Sequence, residues 1–233
     1  MKIDQRFIAL GVATIARSVP SKMEEGLEYD QEGKIDRFIL SHSPSKNSLV
    51  GYIGAANDDN DIEWQNFQRV YAQFFGCKVT RFYLKSKNGL KGLSKCDVLY
   101  LTGGDTFKLL AAFREQTRLS IRRFYNSGGL IAGGSAGANF AFSSFVSIRT
   151  GKAEQGLGLI NQTFCPHYNR PTYREALEAN RGKVPTDLLL SADDFAGFLL
   201  INGDPKICFG VNNAQCHQFS GAGNKIPVNT AKL

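Results

Sequence analysis

The sequence has no apolar run approaching the roughly 20 residues needed to span a bilayer. Its opening residues, Met1-Lys2-Ile3-Asp4-Gln5-Arg6, lack the apolar core of a secretory signal. These absences predict a soluble, cytoplasmic chain with no membrane partner. Cysteine is sparse and odd in number: Cys77, Cys96, Cys165, Cys208 and Cys216 contain no Cys-x-x-Cys pair. A disulfide framework or zinc knuckle is thereby disfavoured, and a reducing compartment fits. The net charge is +7, yet the 28 Lys and Arg residues form no long run, zinc-finger spacing or RNP motif. No nucleic-acid partner is expected. The surplus reads as solvated surface with a lean towards anionic ligands.

Hydrophobic residues make up 42% of the 233 positions and charged residues 21%, enough for a substantial core. That length suits one α/β domain spanning residues 1–233. Phe7–Val12 and Leu49–Gly54 read as strands. The stretch 13–48 is polar and mixed, with a short helical candidate at Asp36–Ser41, and is expected to be loop or lid. Ile62, Trp64, Phe67, Val70, Tyr71 and Phe74 recur mostly at helical spacing, between a cap at Asn60 or Asp61 and a stop at Gly76. Lys78–Leu84 alternates as a strand, and Asp97–Leu101 is apolar enough for a central parallel one. Helices are predicted from Phe107 to about Arg114 and from about Leu119 to Tyr125. Thr172-Tyr173-Arg174-Glu175 has capping-box spacing and opens a helix ending near Gly182. Phe198–Ile201 and Lys206–Phe209 flank Asn202-Gly203 as a strand pair. Residues 221–233 read as loosely ordered. The alternation predicts a mainly parallel sheet with helices on both faces, and functional loops at the strands' carboxyl ends.

The most informative stretch is Gly133-Gly134-Ser135-Ala136-Gly137, placed between the apolar run Leu130-Ile131-Ala132 and a segment able to form a helix. Strand, glycine turn and helix form the context of a G-x-S-x-G nucleophile elbow. A serine hydroxyl needs a base, and the sequence offers His42, His167 and His217. His42 lies in a polar loop, whereas His167 ends a short apolar strand and His217 lies in or beside a late strand. Asp193, Asp194 and Glu154 are candidate acids. Spacing leaves two orders open: Ser135-Asp194-His217 as in an ordinary α/β-hydrolase, or Ser135-His167-Asp194. Backbone N–H groups of Gly104 and Ala136 are candidate oxyanion donors, each worth roughly 3 kcal/mol in the transition state. The turn Gly103-Gly104-Asp105-Thr106 lacks a Walker lysine and G-x-G-x-x-G spacing, so no nucleotide is expected. No cofactor or metal is expected.

Three segments carry a family resemblance: Val98–Leu110 around Gly103-Gly104, Leu130–Asn139 around Ser135, and Cys165-Pro166-His167-Tyr168 followed by Ala192-Asp193-Asp194 and Phe198–Gly203. In this order they resemble peptidase family S51, the peptidase E (aspartyl dipeptidase) and cyanophycinase-like group. The resemblance implies a fold related to class I glutamine amidotransferases and a cytoplasmic serine peptidase acting on small peptides. It makes Ser135 the nucleophile, His167 the base and Asp194 the acid, with Asp193 as fallback. Peptidase E is described with glutamate where this chain has aspartate, shorter by about one C–C bond. Asp105 stands where peptidase E has asparagine. Asp105, Asn139, Tyr168 and Arg170 are expected to line the substrate site, with Arg149 and Arg174 as further candidates for a substrate carboxylate. An esterase-type α/β-hydrolase using His217 and a non-catalytic amidotransferase-like binding protein are the rival readings. A homodimer is left open.

Overall fold

The computed structural model describes residues 3–11 and 33–233. Its strands, in chain order, are β1 (Arg6–Leu10), β2 (Leu49–Ile53), β3 (Lys78–Arg81), β4 (Val98–Leu101), β5 (Leu130–Gly134), β6 (Phe142–Ser147) and β7 (Lys152–Gln155). There follow β8 (Ile160–Cys165), β9 (Leu188–Ala192), β10 (Ala196–Ile201), β11 (Asp204–Gly210), β12 (Cys216–Ser220), β13 (Lys225–Ile226) and β14 (Thr230–Lys232). Eight strands form the main sheet in the order β14-β11-β10-β1-β5-β4-β2-β3. From β1 to β3 all neighbours are parallel. The far side adds the antiparallel pairs β1–β10 and β10–β11. Every residue of β4 and β5 is buried, as a parallel strand covered on both faces requires.

Period-two alternation divides the main sheet between two cores. Ile8 and Leu10 point into one core with Ile35 and Ile39 of α1 (Lys34–Ser41), and with Phe67 of α2 (Asp61–Phe67). Phe7 and Ala9 point into the other, with Leu109 of α3 (Thr106–Ala112), Ile121 of α4 (Glu115–Asn126) and Phe140 of α5 (Ala136–Ala141). A second sheet, ordered β13-β12-β9-β8-β6-β7, joins this core through Phe142, Phe164 and Leu190. Its outer face packs Leu177 of α6 (Pro171–Asn180) against Val146, Leu189 and Phe219. Each of these aromatic or aliphatic side chains contributes about 1.5–3 kcal/mol on full burial.

The expected mainly parallel sheet with helices on both faces is present; the second sheet was not expected. The opening strand ends at Leu10, one residue before a bend at Gly11, and Val12 lies outside the described residues. Of the 13–48 stretch, residues 13–32 also lie outside them. Lys34–Ser41 forms the helix read at Asp36–Ser41, starting two residues earlier, and it is packed: its Asp36 is buried and accepts a 2.7 Å hydrogen bond from the Tyr71 hydroxyl. The Ile62–Phe74 helix starts at Asn60, whose side chain accepts from the N–H groups of Ile62 and Glu63. From Gln68 to Phe74 it winds as a π-helix, which rotates later side chains relative to an α-helix; Phe74 is exposed, as is Ile62 in the first turn. The Lys78 strand stops at Arg81, although Phe82 and Leu84 beyond it are buried. The expected capping box is not formed. Pro171 occupies the first helical position and Arg170 the cap, because proline's fixed φ and missing N–H suit the first turn. Asn202 and Gly203, at φ 55° and 87°, make the tight turn between β10 and β11. The C-terminal segment is ordered, with β13 beside β12 and β14 beside β11.

Two glycines fix how closely α5 returns over the sheet. A Cβ at Gly133 would lie 2.5 Å from the Gly137 carbonyl carbon, and one at Gly137 would lie 2.3 Å from the Leu101 oxygen. Gly137→Ala is therefore expected to destabilise the fold by about 1–3 kcal/mol through overpacking. Urea unfolding measures this as a lower midpoint at unchanged slope.

Candidate active site

Ser135 sits between β5 and α5 at φ 48° and ψ −104°. This left-handed region is costly for a residue with a Cβ and persists only where the surroundings enforce it. Here they do. The Ser135 N–H donates to Leu10 O at 3.0 Å, while the Ser135 carbonyl accepts from the Asn139 N–H at 2.9 Å. The serine is thus pinned between the end of β1 and the first turn of α5. Its Oγ lies 2.8 Å from His167 Nε2.

His167 follows the end of β8, also at positive φ, 59°. Its Nδ1 is hydrogen-bonded to Asp194 Oδ1. A carboxylate only accepts, so Nδ1 carries the proton and Nε2 is left to accept from the serine hydroxyl. Tyr173 of α6 lies against the imidazole, with ring centroids 4.6 Å apart. Ser135, His167 and Asp194 are all buried.

Asp194 lies in the turn between β9 and β10. Its backbone N–H donates to Asn169 Oδ1 at 2.9 Å, and its Oδ2 accepts from Arg170 Nε at 2.8 Å. Burial works against ionisation of this carboxyl. The hydrogen bonds and charges of His167 and Arg170 outweigh it and hold Asp194 below the ordinary carboxylate range. Gly11 makes room for the same turn: a Cβ there would lie 2.0 Å from the Asp193 carbonyl oxygen.

The glycine turn after β4 approaches Ser135 from the other side. A Cβ on Gly103 would lie 3.6 Å from Ser135 Cβ, and Gly104 adopts φ 128° with its Cα close to the Ala56 carbonyl. Among the described residues, neither the Gly104 nor the Ala136 N–H donates to a backbone acceptor.

The remaining sequence-derived candidates divide sharply. Asp105 caps α3, accepting from the N–H groups of Phe107 and Lys108 at 2.9 and 3.2 Å, and is paired with Arg149. Burial opposes its ionisation, but Arg149 and the two N–H groups hold its carboxyl below the usual value. Arg149 lies over the Phe107 ring, 5.0 Å from its centroid. Asn139 donates to Thr106 Oγ1 at 3.2 Å, tying α5 to α3. Tyr168 turns to His217, at 4.1 Å between centroids, and to Glu178, whose carboxylate accepts from its hydroxyl at 3.3 Å. Arg170 bonds Asp194 through Nε, while its side chain stays 44% exposed. Arg174 donates its backbone N–H to Arg170 O at 3.0 Å in the first turn of α6.

His217 is on β12, with Nε2 3.4 Å from Asp193 Oδ1, within ion-pair distance but outside hydrogen-bond geometry. The Ser135-Asp194-His217 order is therefore not assembled, since the hydroxyl and Asp194 both meet His167. Asp193 instead accepts from the Gln215 N–H at 3.0 Å. Glu154 lies on β7, the edge of the second sheet, while both nitrogens of His167 already have partners. His42 bonds locally to Phe38 O at 2.9 Å. Sequence reasoning missed Asn169 and the contact of Arg170 with Asp194. The available signal was Pro171, which fixes Arg170 at the cap three residues after His167. Among the described residues no group of three or more His, Cys, Asp or Glu side chains is placed to hold a metal ion, and no helix is long and apolar enough to cross a membrane.

A serine on a strand–helix elbow, in contact with a histidine at the carboxyl edge of a mixed sheet, defines an α/β protein of hydrolase type. Comparison with known proteins sharpens that class. The family model of peptidase family S51 matches residues 25–204, and the chain belongs to that family. It is 28% identical over 154 residues to the uncharacterized peptidase YgaJ of Bacillus subtilis (strain 168); the match covers 61% of this chain and 66% of that relative, just under two thirds of its length. The crystal structure of a peptidase from an acI-B1 Actinobacterium superposes with a TM-score of 0.67 at 16% identity, covering 99% of this chain and 96% of that one. A provisionally assigned peptidase E protein of Listeria monocytogenes EGD-e gives 0.59 at 15% identity, covering 85% and 95%. The shared architecture is the class I glutamine amidotransferase-like fold.

The lowered acidity range of Asp194 has a definite sign. The folded carboxyl releases its proton at lower pH than the unfolded one, so ionised Asp194 stabilises the fold above the unfolded value of about 4. That contribution is lost as pH falls through the folded value. Urea midpoints of wild type and Asp194→Asn, measured from pH 6 downward, are expected to converge as the solution becomes more acidic.

Proposed function

We propose that this chain is a serine peptidase acting on small peptides through an acyl-enzyme. Ser135 Oγ attacks the substrate carbonyl as His167 Nε2 takes its proton. The N–H groups of Gly104 and Ala136 receive the oxyanion, and His167 returns the proton to the departing amine. Asp194 holds the imidazole in the tautomer this sequence requires and stabilises the imidazolium formed. Water then enters, His167 acts as base again, and the acyl group leaves Ser135. No cofactor takes part.

One observation carries the reading: the Ser135 Oγ–His167 Nε2 distance of 2.8 Å, with Nδ1 of the same ring on a buried carboxylate. A serine held only for structure does not need an imidazole so oriented. Membership of a peptidase family supplies the bond class. Asp105 is paired with Arg149, so it does not offer a free carboxylate to a substrate.

A fluorophosphonate probe is expected to label Ser135 in the folded protein and not to label Ser135→Ala. A dipeptide library read by mass spectrometry is expected to show cleavage by wild type, and His167→Ala is expected to lower turnover by at least about 10³-fold. His217→Ala should retain most of it. Folded protein that takes no label, or turnover that depends on His217 rather than His167, would sink the proposal.

A further inference from the structure

The acid here is aspartate, one carbon shorter than the glutamate described for peptidase E, yet it reaches His167. Its turn is gripped by a single tetrapeptide, His167-Tyr168-Asn169-Arg170. The Tyr168 N–H donates to Ala192 O at 3.1 Å, Asn169 Oδ1 accepts the Asp194 N–H at 2.9 Å, and Arg170 Nε donates to Asp194 Oδ2 at 2.8 Å. The tetrapeptide closes on itself, with the Arg170 N–H donating to His167 O at 2.9 Å. Base and guanidinium therefore sit on one tight turn and hold the two oxygens of one carboxylate.

We propose that Arg170 is a positioning residue for the proposed reaction, fixing the rotation of the Asp194 carboxylate and drawing off part of its charge. The inference rests on the triad reading above. The Asp194 side chain is 1% exposed, so solvent does not supply a substitute for the Arg170 bond. Without it, Oδ2 loses a charge-assisted hydrogen bond of the strong class, and the rotation of the carboxylate is held only by its bond to Nδ1. The remaining negative charge then falls more fully on the imidazole, which keeps its proton to higher pH.

Other groups near the pair leave this effect readable. The Tyr173 hydroxyl is pushed up, mainly by burial, and burial pushes the Cys165 thiol up to about 12. Both are neutral under working conditions. Asp193 and His217 face each other at 3.4 Å. Arg170 is thus the cation bonded to the Asp194 carboxylate besides His167 itself.

The test is the rate of Ser135 labelling by an alkyl fluorophosphonate as a function of pH. The probe carries no carboxylate, so a role of Arg170 in binding a substrate carboxylate would leave the rate unchanged. Arg170→Ala and Arg170→Gln are expected to label roughly 10-fold or more slowly, within the ~10²-fold that small misplacement of a catalytic group costs. The midpoint of the acid limb is expected to move to higher pH. Arg170→Lys restores charge without the planar fork, so it should recover the midpoint more fully than the rate. Thermal melts report the folded fraction of each variant. Labelling at the wild-type rate, or a loss no greater than the unfolded fraction with an unmoved midpoint, overturns the inference for whichever variant folds. Failure of the wild type to label, or labelling of Ser135→Ala, instead overturns the triad reading itself.

Discussion

The site depends on how closely α5 folds back over β4 and β5. Glycines at 133 and 137 permit backbone contacts that a methyl group would forbid. That approach forces the intervening serine into a left-handed conformation, and the reversal presents its hydroxyl at the sheet edge. The same reversal leaves the Ala136 N–H at the start of a helix, where backbone donors lack intrahelical partners. The proposed nucleophile and one proposed oxyanion donor are therefore products of a single packing constraint.

The proposed base and acid come from the second sheet and its link to the first. His167 follows β8 and Asp194 joins β9 to β10, so the polypeptide passes from one sheet to the other at the proposed acid. Burial works against ionisation of Asp194. The hydrogen bonds and charges of His167 and Arg170 outweigh it, while Asn169 holds the backbone N–H of the same residue. Such a carboxylate is held by its neighbours, which bring the shorter aspartate to His167.

Legibility in the sequence followed the range of the interactions. The elbow could be read because its glycines, serine and flanking strand lie within a dozen residues. The central strands could be read from continuous apolar runs, and the α2 cap from Asn60. The choice between His167 and His217 could not be made from spacing, because both end or occupy strands near an Asp pair. Their separation depends on β12 pairing with β9, a long-range event that directs His217 to Asp193. The ordered tail was missed for the same reason: β14 gains its place only by pairing with β11. The capping-box expectation at Thr172 failed locally, since Pro171 starts the helix one residue earlier. For Arg170 and Asn139, expected at the substrate site, nothing in the sequence signalled their intramolecular partners: in the folded chain one bonds Asp194 and the other Thr106.

The first strand links both halves of the site. Leu10 O takes the Ser135 N–H, and the next residue donates its N–H to Ala196 O, two residues past Asp194. This segment thus waits for partners made some 125 and 185 residues later. Until β10 leaves the ribosome, the elbow has neither its acid nor the strand that closes the sheet beside β1. A growing chain accordingly carries its own delay: the hydroxyl is made about 60 residues before β10, and the environment proposed to make it reactive is complete only once that strand can fold.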